Sequence, residues 1–106
     1  MTWEAVMRVK FVQSGGVVGA VRGCELDSAS LPPDEARELE SLVRASGFAD
    51  SGAFLSPAAR DLRQYEIRVE SVAQTVTVTF DDGTLPERAR PLVGYLRRNA
   101  KPRGGA

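Results

Sequence analysis

Residues 75–80 have the sequence TVTVTF, which decides the fold more than any other stretch of the chain. The two valines and Phe80 alternate with threonines, so the three apolar side chains lie on one face of a strand. All six residues belong to types that favour the extended conformation. Residues 62–71 alternate in the same way around Ile67. We therefore expect two antiparallel strands with one buried face, joined by a turn at 72–74.

A second hairpin is predicted nearer the N-terminus. Residues 5–13 alternate apolar and polar side chains, and residues 17–26 form a less regular apolar return strand. Between them, Gly15 and Gly16 favour a tight turn, because glycine accepts a positive φ at little cost. Valines of the return strand fall on both faces. This hairpin is therefore expected to be covered on both faces or to bind another molecule.

A helix is predicted to begin at Pro33 and to end at Gly47, which suits a left-handed C-cap. Asp34 and Glu35 lie in its first turn, where carboxylates complement the helix dipole. Its buried stripe is predicted from four apolar residues at helical spacing. These are Ala36, Leu39, Leu42 and Val43.

The last helix is predicted after the turn at Asp81-Asp82-Gly83. Thr84 and Glu87 have the spacing of a capping box. Pro91 removes one helical hydrogen bond and crowds the preceding turn. The sequence therefore predicts either a kink at Pro91 or two short helices that meet there.

The element order is thus ββαββα, an α+β fold. We expect a four-stranded antiparallel sheet with two helices packed on one face. The chain of 106 residues fits one domain, predicted over residues 1–100. Residues 101–106 are polar and glycine-rich, which predicts a disordered tail.

The composition argues against an enzyme. The chain has no histidine and one cysteine, Cys24, which leaves no usual general base, no Ser-His or Cys-His pair, no thiolate zinc site and no internal disulfide. Asp81 and Asp82 are adjacent on a predicted strand end, where neighbouring side chains point to opposite faces and make a poor acid/base pair. We expect no catalytic residues, no metal site and no cofactor.

The charge is zero overall but unevenly distributed. Residues 25–50 carry seven acidic and two basic groups, whereas residues 87–106 carry six basic and one acidic group. A pI near 6.3 is typical neither of a DNA-binding nor of an RNA-binding domain, so no nucleic-acid partner is expected. The chain shows no apolar run long enough to span a membrane and no signal peptide, which predicts a cytoplasmic protein without a membrane partner.

The order and spacing of these features, over nearly the whole chain, resemble the emfourin family. The residues that carry the resemblance are Ser14-Gly15-Gly16, Leu26-Asp27, Leu31-Pro32, Asp34-Glu35, Leu39, Leu42, Val43, Gly47-Phe48, Gln64-Tyr65, Leu85-Pro86 and Pro91-Leu92. Emfourins are small cytoplasmic bacterial proteins that inhibit thermolysin-like zinc metallopeptidases. The resemblance implies a reversible, non-covalent inhibitor of such a peptidase that occludes the active-site cleft and is a monomer when free. The alternative is a non-enzymatic interaction module or a subunit of an assembly.

Two candidate contact surfaces follow. The first is the hairpin tip, Ser14, Gly15, Gly16 and Val17, where slim residues allow close backbone approach and a strand edge can pair with an extended partner. Its alternative is a plain tight turn. The second is the start of the first helix, Leu31, Pro32, Asp34 and Glu35, where the leucine would enter an apolar subsite beside a carboxylate. Its alternative is an ordinary helix start with a core leucine.

Overall fold

The computed structural model describes residues 6–15 and 21–102, and the predicted contact residues Gly16 and Val17 lie outside these ranges. Within these ranges the chain forms two α-helices and six strands, together with three short 3-10 turns at Ser28–Ser30, Ala59–Asp61 and Glu87–Ala89. The regular elements are β1 (Arg8–Gly15), β2 (Arg22–Asp27), α1 (Pro33–Ser46), β3 (Gly52–Phe54), β4 (Arg63–Glu70), β5 (Thr75–Asp81), α2 (Arg90–Asn99) and β6 (Lys101–Pro102).

The six strands form a single mixed sheet in the order β3-β5-β4-β1-β2-β6. The four long strands pair antiparallel, while β3 pairs parallel to β5 at one edge. The central pair is β1 with β4, in which Phe11 lies opposite Ile67 and Gly15 opposite Arg63. The mixed α+β class is confirmed.

The predicted four-stranded, all-antiparallel sheet is wrong in two places, both at sheet edges. Strand β3 has three residues and lies between the predicted end of the first helix and the predicted strand at 62–71, and β6 pairs with β2 through Arg22 and Gly23. Neither strand is long enough to show an alternating pattern. Lys101–Pro102, placed by the sequence in a disordered tail, therefore form part of the sheet, and residues 103–106 lie outside the described residues.

The tight turn predicted at Gly15-Gly16 is also wrong. A two-residue turn there would place Gln13 opposite Val18, but Gln13 pairs with Arg22. The connection between the paired parts of β1 and β2 therefore spans residues 14–21. Beyond Gln13, β1 continues along β4 alone as far as Gly15.

One hydrophobic core lies between the sheet and the helices. Alternate residues of the central strands, among them Val9, Phe11, Ile67 and Val78, are almost fully buried. Leu39 and Val43 of α1 and Leu92 and Leu96 of α2 complete the same cluster. Burial of this apolar area is the main stabilising contribution, at roughly 25 cal/mol per Å² removed from water.

The opposite face of the sheet is polar. Arg8 lies near Glu25 at 3.5 Å and near Asp27 at 3.6 Å, and Lys10 lies 3.5 Å from Glu70. These pairs are partly exposed and contribute little each. Their value is that they leave this face charged and alternating in sign, which suits contact with water.

Both helices begin near prolines and end differently from one another. Helix α1 starts at Pro33 and ends at Gly47, whose φ of 77° gives the predicted left-handed C-cap. The capping box predicted at Thr84 is wrong, because the Thr84 hydroxyl instead accepts a hydrogen bond from the Asp81 amide at 3.0 Å. The turn Glu87–Ala89 leads directly into α2, so two short helices meet beside Pro91, one of the two predicted outcomes.

Candidate protein-protein interface

Two parts of the chain lie side by side at one end of the sheet. One is the end of β1 at Ser14 and Gly15, and the other is the 55–62 segment between β3 and β4. Gly15 pairs with Arg63, the first residue of β4, so the end of β1 lies next to the end of the 55–62 segment. We call this surface the hairpin end and define it as Ser14, Gly15, Val21 and the 55–62 segment. Across the sheet it extends about 20 Å, or four strand spacings.

Gly15 allows the end of β1 to approach the 55–62 segment closely. Its φ is 81°, and a Cβ built there would lie 2.7 Å from the carbonyl oxygen of Leu62. A side chain at this position would therefore clash with the Leu62 backbone. Gly15 has the positive φ that the sequence predicted, although it does not lie in a two-residue turn.

Asp81, at the end of β5, holds the 55–62 segment through hydrogen bonds to Ser56. Its carboxylate is fully buried and accepts hydrogen bonds from the Ser56 amide at 2.6 Å and the Ser56 hydroxyl at 2.7 Å. It also accepts from the Gly83 amide at 2.7 Å and the Thr84 amide at 3.0 Å. Burial alone would raise the pKa of Asp81, but these hydrogen bonds outweigh it and lower the pKa below its ordinary value.

Asp82 points the other way and makes a second link. It accepts a hydrogen bond from the Tyr65 hydroxyl and lies 3.4 Å from the Arg63 guanidinium. Burial, followed by this carboxylate, raises the pKa of Tyr65 above its ordinary value. The two neighbouring aspartates thus serve separate structural networks on opposite sides of the strand end, as their adjacency predicted.

Three of the large apolar side chains that the structure exposes lie at or beside the hairpin end. Val21 is 39% exposed, Phe54 50% and Leu55 44%. Phe54 also stacks on the buried Phe80, with 5.4 Å between ring centres. Val21 is not among the contact residues predicted from the sequence. It belongs to the apolar run that precedes the regular part of the return strand, and this run is the sequence signal that marks it.

The second predicted surface lies at the opposite end of the sheet. Pro32, Asp34 and Glu35 are exposed, and Asp34 forms an ion pair with Arg37 at 2.5 Å. Leu31 is half-buried and packs against the core. The surface-contact interpretation needs a leucine that can enter a subsite of the partner. Because Leu31 is partly packed against the core, little of its side chain is available for such a contact.

The structure does not bring the two predicted surfaces together. The paired residues Gly15 and Arg63 mark one end of β1, while Arg8 and Asp27 mark the other, from which the chain leads to Leu31. The eight residues of β1 span about 25 Å. A single partner cleft can take only one of these surfaces at its centre.

Nothing in the described ranges 6–15 and 21–102 groups three or more His, Cys, Asp or Glu residues closely enough to hold a metal ion. Over the same ranges, no helix has the length and apolar character needed to cross a membrane. The Cys24 thiol is half-buried and lies 3.6 Å from the Leu96 carbonyl oxygen.

Comparison with protein families gives one match. The family model named Emfourin matches residues 11–97, which is well over half of the chain. The chain belongs to the emfourin family. The matched region runs from the middle of β1 to the last turns of α2, so it includes the hairpin end and the start of α1. No curated protein and no solved structure gives a significant match.

Emfourins are inhibitors and not enzymes, so family membership indicates a protein of the protease-inhibitor type. This agrees with the structural roles of Asp81 and Asp82. Family membership also indicates a protease as the partner. The contact residues predicted from the sequence are all within the matched region.

Proposed function

We propose that this protein is a reversible, non-covalent inhibitor of thermolysin-like zinc metallopeptidases that occludes the active-site cleft. The observation that carries the proposal is the emfourin match over residues 11–97. In this proposal the inhibitor is a monomer when free, is cytoplasmic, and uses no cofactor of its own.

The hairpin end is the proposed primary contact surface. It combines the predicted residues Ser14 and Gly15 with exposed apolar side chains at Val21 and Leu55. The predicted contact residues Gly16 and Val17 lie outside the described residues and stay part of the proposal. A standard protein-protein contact buries about 800 Å² on each partner. A surface about 20 Å wide with a few apolar anchors is suited to that size.

Preorganisation supports this choice of surface. The Asp81 carboxylate holds Ser56, and Gly15 approaches the Leu62 carbonyl closely. Because these contacts hold the 55–62 segment before binding, less conformational entropy is lost there on association.

The start of α1 is the proposed secondary surface. Pro32, Asp34 and Glu35 are exposed there, beside the half-buried Leu31. In the absence of histidine, the groups able to approach a peptidase zinc ion are a carboxylate or a backbone carbonyl. Asp34 and Glu35 are the exposed carboxylates of this surface, while the hairpin end would present backbone carbonyls.

The decisive experiment is a titration of the protein into a thermolysin-like peptidase, with cleavage of a small peptide substrate as the readout. We expect a stoichiometric loss of activity and recovery of intact inhibitor. Slow cleavage of the added protein would show that it is a substrate. No effect on several such peptidases would contradict the proposal and favour the assembly subunit.

Variants separate the two surfaces in the same titration. We expect Val21→Arg and Leu55→Arg to weaken inhibition at least about tenfold, because each removes an apolar anchor of the contact. Val72→Arg is the matched control, since Val72 is 91% exposed at the opposite end of the sheet. If the double variant Asp34→Lys, Glu35→Lys weakens inhibition while the first two do not, the primary contact is the start of α1.

A further inference from the structure

Beside the C-terminal end of α2 lies an open cavity of about 330 Å³ that the proposed function does not use. Its lining consists of Gln13, Arg22, Gly94, Arg97, Arg98 and Ala100. Three arginine residues and one glutamine thus line a single cavity. Within the part of the chain that the structure describes, no carboxylate lines it.

The arginines of this cavity differ from most others in the protein. Arg8, Arg37, Arg63, Arg68 and Arg90 each lie within ion-pair distance of a carboxylate. Arg22, Arg97 and Arg98 do not, as far as the described ranges 6–15 and 21–102 extend. Arg22 donates a hydrogen bond to the Ala100 carbonyl at 3.0 Å, and the Arg98 guanidinium lies 5.9 Å from the centre of the Tyr95 ring. Each contact holds a guanidinium in place, and neither is with an anion.

Gly94 forms an open part of the cavity wall. Gly94, Arg97 and Arg98 lie three and four residues apart in α2, so they share one face of the helix. A Cβ built on Gly94 would meet no atom closer than the Arg98 guanidinium nitrogen at 3.7 Å. Glycine inside a helix lowers its stability relative to alanine. Neither a positive φ nor close packing requires glycine here, and a large side chain at this position would extend into the open space.

A helix C-terminus attracts cations, which explains part of the arrangement. It does not explain why β1 and β2 contribute Gln13 and Arg22 to the same cavity. Planar guanidinium groups match the geometry of carboxylate and phosphate oxygens and bind them through paired hydrogen bonds. Like charges held together in this way repel each other unless an anion lies between them.

We propose that this cavity is an oxyanion-binding site, with Arg22, Arg97 and Arg98 as the charged ligands and Gln13 as a neutral donor. The bound group is a carboxylate or a phosphate. Arg22 directly follows Val21, so the site borders the hairpin end. It does not depend on the proposed inhibition, and its test uses the isolated protein.

The test is a titration followed by NMR, with the side-chain amide of Gln13 and the backbone amide of Gly94 as reporters. Inorganic phosphate and succinate are the two probes, and sodium chloride at matched ionic strength is the control. We expect saturable shifts with at least one probe and none with chloride. Saturation with phosphate alone would identify the phosphate source, and saturation with succinate the carboxylate source. Shifts that rise linearly, or that chloride reproduces, would overturn the proposal.

Amino-acid substitutions test which residues bind the phosphate or succinate probe. Arg22→Gln and Arg97→Gln should each weaken it about tenfold or more, since each removes a charge-assisted hydrogen bond. Arg90→Gln removes the same charge from the first turn of the same helix, where Arg90 pairs with Glu87, and should leave affinity unchanged within about twofold. Gly94→Leu fills the cavity and should abolish binding while the arginines remain. If Arg97→Gln and Gly94→Leu both bind the probe with the affinity of the wild type, the site is refuted.

Discussion

At the scale of single residues, Asp81 determines how the hairpin end is held. Its buried carboxylate joins Ser56, Gly83 and Thr84, three residues from two separate connections. An asparagine at this position has the same shape but offers one acceptor oxygen and no charge. Because the amides it faces are all donors, an introduced amide group would leave at least one donor without a partner.

The lowered pKa of Asp81 predicts a specific pH dependence of stability. As the pH falls, the Asp81 carboxylate of the unfolded chain is protonated at the ordinary pKa of 3.8, whereas that of the folded protein is protonated only at a lower pH. The contribution of Asp81 is therefore complete above that value and is lost as the pH falls through the lower folded-state pKa. We expect the free energy of unfolding to fall more steeply below about pH 4 in the wild type than in Asp81→Asn.

Denaturant unfolding at a series of pH values measures this difference directly. The other carboxylates are common to both proteins, so their effects cancel in the comparison. Curves that run parallel down to about pH 2 would show that the hydrogen bonds to Asp81 do not depress its pKa.

At the scale of elements, α1 offers a graded test of its packing. Leu39 is completely buried, whereas Leu42 is only partly buried against the same core. We expect Leu39→Ala to lower the free energy of unfolding by about 2–5 kcal/mol, because the helix and sheet close only partly over the cavity. Leu42→Ala should cost about half as much. Equal losses in urea unfolding would mean that α1 is rotated from its described position.

The same scale shows what the sequence predicts well. Long elements with a clear period, such as β4, β5 and α1, were predicted to within one or two residues, since each buries one regular face. The edges failed. A three-residue strand at Gly52–Phe54 and a two-residue strand at Lys101–Pro102 form only because a neighbouring strand offers free backbone groups. Such pairing depends on tertiary position and leaves no periodic pattern in the sequence.

The candidate surfaces divide in the same way. Gly15 was predictable as a position that needs glycine, although its close approach to Leu62 was not. The separation of the two predicted surfaces follows from strand register, which no local pattern specifies. The arginine-lined cavity gathers residues from β1, β2 and α2, so it has no signature in any one segment.

At the scale of the whole molecule, the described residues have a radius of gyration of 13.5 Å. A compact domain of this length is expected near 13 Å. We predict a monomer in solution, with a small-angle scattering radius close to the value of the structure. A dimer would give a radius about 30% larger, by the scaling of compact proteins with chain length. Such a value would contradict the monomer and favour self-association through a sheet edge.

The sheet order has a further consequence for how the protein is made. The central strands β1 and β4 come from opposite halves of the chain, with β2, α1 and β3 between them. A nascent chain that has not yet released β4 from the ribosome leaves one edge of β1 unpaired and Val9 and Phe11 uncovered on their sheet face. Long-range pairing of this kind forms late. Until β4 arrives, β1 pairs with β2 alone, and its other edge has the open backbone groups that an extended segment of another chain can pair with.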